Sequence, residues 1–384
     1  MKKHHSLIFA MAAMLPFLLF ASCKNTQVNA SSAAAPDDLH TEVWNEWKAE
    51  NQERLKQNLE RGFIRQDGLE MKFAYSVFGE EPADGRSLWI SLHGGGSAPT
   101  EVNNGQWENQ KRLYQPAEGI YLSPRAPWDA WNMWFQEPID SLFEELIATM
   151  VALKGVNPDK VYLLGYSAGG DGVWRLAPRL ADHWAAASMM AGHPGDVSLL
   201  NVRNLPFMLW VGELDAAYDR NREVTMRGVE LDSLQKIDIE GYVHECHVVE
   251  GKGHWMDLTD AAALPWMAQY KRNPYPSHIV WRQEEVLREE FYWLRVPKDE
   301  MERGKTVIIE VKDNVIDIIR CDYSSLTFLL NDSIVNLDKP VVVKQNGQVL
   351  AETTLVRDKA LLRQTLQRRL DPRYMFDSEL TVRL

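Results

Sequence analysis

Residues 161–170 read VYLLGYSAGG. A run of apolar and β-favouring residues ends in Gly165. Ser167 then stands between Gly165 and Gly169, with small residues on either side. The run predicts a buried strand, and AGGDGVWRLAPRL (168–180) predicts the start of a helix. G-x-S-x-G between a strand and a helix marks a turn so tight that side chains at its flanks would collide with neighbouring backbone. Such a turn lifts a hydroxyl above the carboxyl edge of a parallel sheet, where such sheets take their ligands. It also aims the first amides of the helix at whatever the hydroxyl attacks. On its own the motif is only moderately specific, because glycine and serine are common.

The surrounding chain supplies the context. Upstream, SLWISLHGGG (87–96) predicts a strand that runs into a second glycine loop. Glycine lets backbone N–H groups come close to a developing oxyanion. Gly95 and Gly96, with Ala168 after the serine, are the candidate donors. His93 in that loop reads as a structural histidine. Downstream, PFMLWVGELD (206–215) ends a predicted strand in Asp215, and YVHECHVVEGKGH (242–254) ends another in His254. Ser167, Asp215 and His254 thus each fall at a predicted strand end, in the chain order Ser, Asp, His. Asp219, in the same loop as Asp215, is the rival acid. His244 and His247 lie on opposite sides of a β run, which argues against a metal site there. No metal and no organic cofactor is expected.

From about 70 to 270, strand and helix patterns alternate, which predicts a mostly parallel sheet with helices on both faces. TEVWNEWKAENQERLKQNLE (41–60) predicts a surface helix with Trp44, Trp47 and Leu55 facing inward. After about 276 the texture changes to short β runs joined by Asp-Asn, Asn-Asp and Asn-Gly turns, with Asn346-Gly347 the strongest hairpin signal. A small β-sandwich is expected over 276–384, following a catalytic unit over 41–275.

The first residues, MKKHHSLIFAMAAMLPFLLFASC, carry a basic start, an apolar run interrupted by Pro16, and small residues before Cys23. They read as a signal peptide over 1–22. FASC resembles a bacterial lipobox, which implies lipidation at Cys23, a tether over 23–40, and export to a membrane surface through that anchor. The net charge of −12 argues against nucleic acid or an anionic membrane as the main partner. Cys246 and Cys321 are expected to be buried and free.

As a set, the serine turn, the HGGG loop, GELD (212–215) and GKGH (251–254) resemble the α/β-hydrolase superfamily over about 70–270. Within it the chain is similar to secreted bacterial esterases of the polyhydroxyalkanoate-depolymerase and feruloyl-esterase type, and to prolyl-oligopeptidase-like hydrolases. The resemblance implies hydrolysis of an ester through an acyl-enzyme. SPRAPWDAWNMWFQEP (123–138) places Trp128, Trp131 and Trp134 at three-residue spacing ahead of the helix that leads to the serine strand. They could stack on a sugar or an aromatic acyl group, or pack the loop onto the core. Trp255 and His193 complete the candidate substrate contacts. Acetyl or feruloyl esters on polysaccharides are the expected substrates. A serine peptidase on the same three residues, and a glycan-binding lipoprotein with an inactive hydrolase unit, remain open.

Overall fold

The computed structural model describes residues 36–384. The expected signal peptide, the Cys23 lipidation site and residues 23–35 of the expected tether lie outside them. Residues 36–40, expected in the tether, are instead the first turn of a helix, α1 (Pro36–Arg61). His40 on α1 lies 3.1 Å from the Asp377 carboxylate near the far end of the chain.

The next elements alternate as the pattern requires. They run β1 (Phe63–Gln66), β2 (Leu69–Phe78), β3 (Arg86–Leu92), α2 (Thr100–Gln110), β4 (Gly119–Pro124), α3 (Pro138–Lys154), β5 (Val156–Tyr166), α4 (Ala168–Arg179) and β6 (Ala186–Met190). Then come β7 (Phe207–Gly212), α5 (Arg220–Ile237), β8 (His244–Val249) and α6 (Ala263–Met267). The strands form one sheet in the order β1-β2-β4-β3-β5-β6-β7-β8. β1 and β2 pair antiparallel, as do β2 and β4, and every pair from β4 to β8 is parallel. This is the α/β-hydrolase fold.

Residues alternate across the sheet, so each strand feeds two cores. Leu88, Ile90, Leu92, Val161 and Leu163 pack on the face covered by α3 and α4. Trp89, Tyr162, Leu164 and Tyr166 pack on the other, against Met256, Leu264 and Met267 near α6. β5 is buried from Lys160 to Tyr166, which is why its sequence is a continuous apolar run.

The C-terminal region holds β9 (His278–Arg282), β10 (Glu290–Phe291), β11 (Leu294–Arg295), β12 (Thr306–Lys312), β13 (Val315–Cys321), β14 (Ser325–Leu330), β15 (Val341–Gln345), β16 (Gln348–Thr353), α7 (Lys359–Arg369) and β17 (Ser378–Arg383). They make a five-stranded sheet, β16-β15-β13-β12-β9, and a four-stranded sheet, β10-β11-β14-β17. Asn346 and Gly347 both take positive φ, 51° and 77°, in the two-residue turn between β15 and β16. That conformation matches strand twist and selects Asn-Gly. Inward residues of both sheets, such as Ile309, Ile318, Phe328 and Val343, join the core that lies under α3 and α4. α1 closes over the joint: Val43, Trp47 and Leu55 pack with Ala148 of α3 and with Leu362 and Leu366 of α7. Trp44 is half-buried and stacks on Trp47 at 5.1 Å. Cys246 and Cys321 are free and only partly buried. Among the described residues no helix is long and apolar enough to cross a membrane.

Candidate active site

Ser167 sits between the last residue of β5 and the first of α4 with φ 59° and ψ −123°, a conformation that costs a non-glycine residue about 1–3 kcal/mol. Its N–H donates to the Met190 carbonyl of β6 at 2.9 Å, and its carbonyl accepts from Asp171 N–H at 2.9 Å. The flanking glycines have a steric cause. A Cβ at Gly165 would stand 2.4 Å from the Gly169 carbonyl oxygen, and one at Gly169 would stand 2.1 Å from that of Leu92. The turn exists because neither residue carries a side chain.

Asp215 and His254 arrive on two loops tied to each other. Glu213 N–H donates to the Val249 carbonyl at 3.0 Å and Leu214 N–H to that of Lys252 at 2.8 Å. A Cβ at Gly212 would stand 2.0 Å from the Gly253 carbonyl oxygen, so the acid loop and the histidine loop touch through bare backbone. His254 Nδ1 is 2.8 Å from Asp215 Oδ2, and its Nε2 is 2.9 Å from Ser167 Oγ. The carboxylate fixes the tautomer with hydrogen on Nδ1, leaving Nε2 to take the serine proton. Asp215 is 2% exposed, and its other oxygen lies 3.5 Å from Arg220 Nη1. Asp219, the rival acid, sits in the short turn before α5 with φ 56°, and His254 makes no bond to it.

Gly95 and Ala168 line the cleft at Ser167, and their amides donate to no protein group among the described residues. Gly96 departs from expectation. Its N–H donates to Asn103 Oδ1 at 3.0 Å and is therefore committed to holding the loop. Asn103, on α2, is fully buried and also donates to the carbonyls of Gly96 and Ala98, each at 3.0 Å. A Cβ at Gly95, where φ is 118°, would stand 2.0 Å from Asn103 Oδ1. Sequence reasoning missed Asn103, because nothing in TEVNNGQWENQ ties that position to a loop seven residues earlier. It also missed Tyr166, the residue before the serine. Its hydroxyl donates to the His254 carbonyl at 2.5 Å and accepts from Met256 N–H at 3.2 Å, joining the turn to the histidine loop.

His93 is buried and structural, as its motif suggests. It accepts from Ala126 N–H at Nε2 (3.2 Å) and donates from Nδ1 to the Gly94 carbonyl at 2.6 Å. Burial, partly offset by the Gly94 carbonyl, pushes its pKa down to about 4, so it stays neutral.

Two clefts meet at Ser167. One, of about 390 Å³, runs under Trp131 and Phe135 toward Asp171, Arg175, His193 and Arg220. Burial raises the Asp171 carboxyl pKa, against the pull of the His193 N–H at 2.6 Å. The other, of about 670 Å³, runs under Trp255 and Leu258 past Val102 and Leu113. Of the three spaced tryptophans only Trp131 opens into a cleft, at 66% exposed. Trp134 is fully buried, and Gly172 of α4 approaches it so closely that a Cβ there would stand 2.5 Å from the Trp134 Cβ. Trp128 is half-buried against the core and lines neither cleft. Both are packing residues, which corrects the expectation of substrate contact. Trp255 and His193 do line the site. Among the described residues no group of three or more His, Cys, Asp or Glu is placed to hold a metal ion.

No family model matches the chain, and no curated protein matches it. It is similar to solved structures of esterases. One is a thermostable esterase, 20% identical with a TM-score of 0.44, over 55% of this chain and 62% of that one. The chain thus spans under two thirds of that esterase's length. Another is a ferulic acid esterase, 14% identical with a TM-score of 0.37, over 54% of this chain and 95% of that one. A third is the feruloyl esterase module from Clostridium thermocellum complexed with sinapinate, 12% identical with a TM-score of 0.40, over 54% and 86%. The chain's own topology and site define its class: an α/β-hydrolase fold carrying a serine, histidine and aspartate in hydrogen-bonded order.

Proposed function

We propose that this chain is a serine esterase that hydrolyses carboxylic esters through an acyl-enzyme, acting on acyl groups carried by polysaccharides. The observation that supports it most is the unbroken relay from Asp215 Oδ2 through His254 to Ser167 Oγ, at 2.8 and 2.9 Å. Ser167 Oγ attacks the ester carbonyl while His254 Nε2 accepts its proton. The carbonyl oxygen becomes an oxyanion held by the Gly95 and Ala168 amides, the latter at the N-terminus of α4. The imidazolium, stabilised by Asp215, then returns the proton to the leaving alcohol oxygen. Water enters, gives its proton to His254, and releases the acid while Ser167 recovers its hydrogen.

The polysaccharide part of the reading is supported by the exposed rings around the mouth. Trp131, Tyr218 and Trp255 are 66%, 78% and 48% exposed, and flat aromatic faces stack on sugar rings. Export by a leader over 1–22 and anchoring at Cys23 are the accompanying proposals, suggested by the sequence alone. The intact relay speaks for a working enzyme over a decayed one.

The test is covalent. The protein is treated with a fluorophosphonate and, separately, with p-nitrophenyl acetate and acetylated or feruloylated xylan. Expected are stoichiometric labelling at Ser167, an initial burst of p-nitrophenol, and acid release from xylan. Ser167→Ala is expected to lower turnover by about 10⁴-fold or more without changing the melting temperature. An unlabelled, inactive parent protein overturns the proposal, and cleavage of peptide amides in preference to esters makes it a peptidase.

A further inference from the structure

We infer that Arg220 is the carboxylate-recognising residue of the smaller cleft, and that the glycan whose esters this protein cleaves carries uronic acid. This rests on the reading of Ser167, Trp131 and Tyr218 given above and names the class of glycan. The chain places Arg220 against local preference. It is the first residue of α5, an 18-residue helix, and a helix dipole disfavours a cation at its start. The two residues before it, Tyr218 and Asp219, both take a positive φ of 56°. That conformation is uncommon for a residue other than glycine, and strain of this kind gathers at ligand sites.

The fold leaves the Arg220 guanidinium mostly buried and largely unpaired. Its side chain is 11% exposed. Nη1 lies 3.5 Å from Asp215 Oδ1 and 3.4 Å from the Ala217 carbonyl, both long contacts. Nε is buried and has no partner among the described residues. The positive centre sits 4.9 Å from the centroid of the Tyr218 ring. Arg175, the other cation lining this cleft, is the contrast. Its Nη1 meets Asp196 at 3.1 Å and Glu285 at 3.2 Å, and its Nη2 lies against Gly195, where a Cβ would stand 2.1 Å away. Arg175 is neutralised and builds the wall, whereas Arg220 still has charge and donors to place.

A buried donor without an acceptor costs free energy that a ligand can recover. The open edge of a planar guanidinium matches the two oxygens of a carboxylate. The Asp171 carboxyl lines the same cleft and Asp215 stands next to Arg220, so a singly charged group is favoured over a phosphate dianion. The α5 dipole favours an anion at the same point. Trp131 and Tyr218 line this cleft with Arg220, so the carboxylate belongs to the part of the substrate that stacks on those rings, the sugar. The net charge of −12 repels a polyanion at long range, so the contact acts at short range and not in steering.

The test compares matched esters. Acetate release is measured from acetylated oligogalacturonate and from acetylated oligogalactoside of the same length. Turnover of p-nitrophenyl hemisuccinate against p-nitrophenyl acetate asks whether the carboxylate belongs on the acyl group instead. The parent is expected to prefer the uronate ester about 10- to 100-fold in kcat/KM, mostly through KM, and to show no preference for hemisuccinate. Arg220→Met is expected to abolish the uronate preference. Arg220→Lys is expected to keep part of it, since an ammonium restores the charge but not the fork. Reading each variant as a ratio of two substrates cancels any change passed to His254 through Asp215, and fluorophosphonate labelling of Ser167 confirms that each variant is folded. Equal cleavage of both glycan esters by the parent, or a uronate preference that survives Arg220→Met, overturns the inference and leaves the esterase reading intact. A hemisuccinate preference that Arg220→Met abolishes also overturns it, by moving the carboxylate to the acyl group. A parent active on p-nitrophenyl acetate and on neither glycan ester overturns the polysaccharide reading, and the inference with it. A parent that is neither labelled nor active on any ester overturns the esterase reading itself.

Discussion

The serine turn and the joint between the large sheet and the C-terminal sheets solve opposite problems. At the turn, shape is set by what is missing. Gly165, Gly169 and Gly212 carry no side chain where neighbouring carbonyls come within 2.0–2.4 Å of a Cβ position. At the joint, position is set by charge. Asp182, fully buried after α4, is paired with Arg369 of α7, and its Oδ1 lies 2.8 Å from His183 Nδ1. Arg272 reaches Asp159 at 3.0 Å and Asp371 at 2.7 Å, and Arg288 reaches Glu144 at 2.8 Å. Backbone contact tolerates almost no error, which suits a reacting centre. Buried ion pairs fix relative placement at a high desolvation cost, and removing one partner strands the other. The site is specified by local sterics, and the C-terminal sheets are registered on it by long-range electrostatics.

Breaking the joint should give the largest change in stability. Arg369→Met leaves the Asp182 carboxylate short of its main cation and is expected to destabilise the fold by about 3–5 kcal/mol. Urea unfolding would report this. The folded fraction should keep the parent's kcat, and a large loss of kcat per folded molecule would show that the joint shapes the site as well.

Breaking the loop should act on rate instead. Asn103→Ala releases the clamp on Gly95 and Gly96 and is expected to lower kcat by up to about 100-fold with KM changed little. An unchanged kcat would show that the loop holds its shape without the clamp.

Gly169→Ala tests the steric argument directly. The new Cβ collides with the Leu92 carbonyl, so destabilisation of about 1–3 kcal/mol is expected together with loss of fluorophosphonate labelling. A stable, labelled variant would refute the stated reason for the glycine.

The two regions should also differ in pH dependence, each in its own window. His93 falls from an ordinary value of 6.5 to about 4 in the fold. The unfolded chain binds its proton first, so the contribution of His93 is full above 6.5 and is lost as pH falls toward 4. At the joint, burial raises the Glu144 carboxyl, but Arg288 and His183 outweigh it and hold it at about 2, against an ordinary 4.5. Its contribution is full above 4.5 and is lost as pH falls toward 2. Urea midpoints across pH 2–8 should therefore show His93→Asn flattening the upper window and Glu144→Gln the lower. A crossed result would reassign the titrations.

Much of the site was legible because each element carries its own local signature. VYLLG reads as a buried strand, the glycines mark the turn, and the Ser, Asp, His order follows the strand order. The helix over 36–61 was legible in outline, with Trp47 and Leu55 inward, though its first turn was hidden in what reads as a tether. Other features left no local trace. Three-residue spacing could not tell the buried Trp134 from the exposed Trp131, because both suit one short turn. Asn103, Tyr166 and Arg369 act on partners up to 187 residues away, and no periodicity records such a pairing.

By itself, the sequence determined the strand-turn-helix around Ser167 and the hairpin at Asn346-Gly347, because each follows from backbone sterics within a few residues. Only the tertiary structure decided which aspartate meets His254, which glycine amide is free, which tryptophan opens into a cleft, and how the C-terminal sheets lock onto the large one. Those outcomes depend on which distant groups come to share the same small volume.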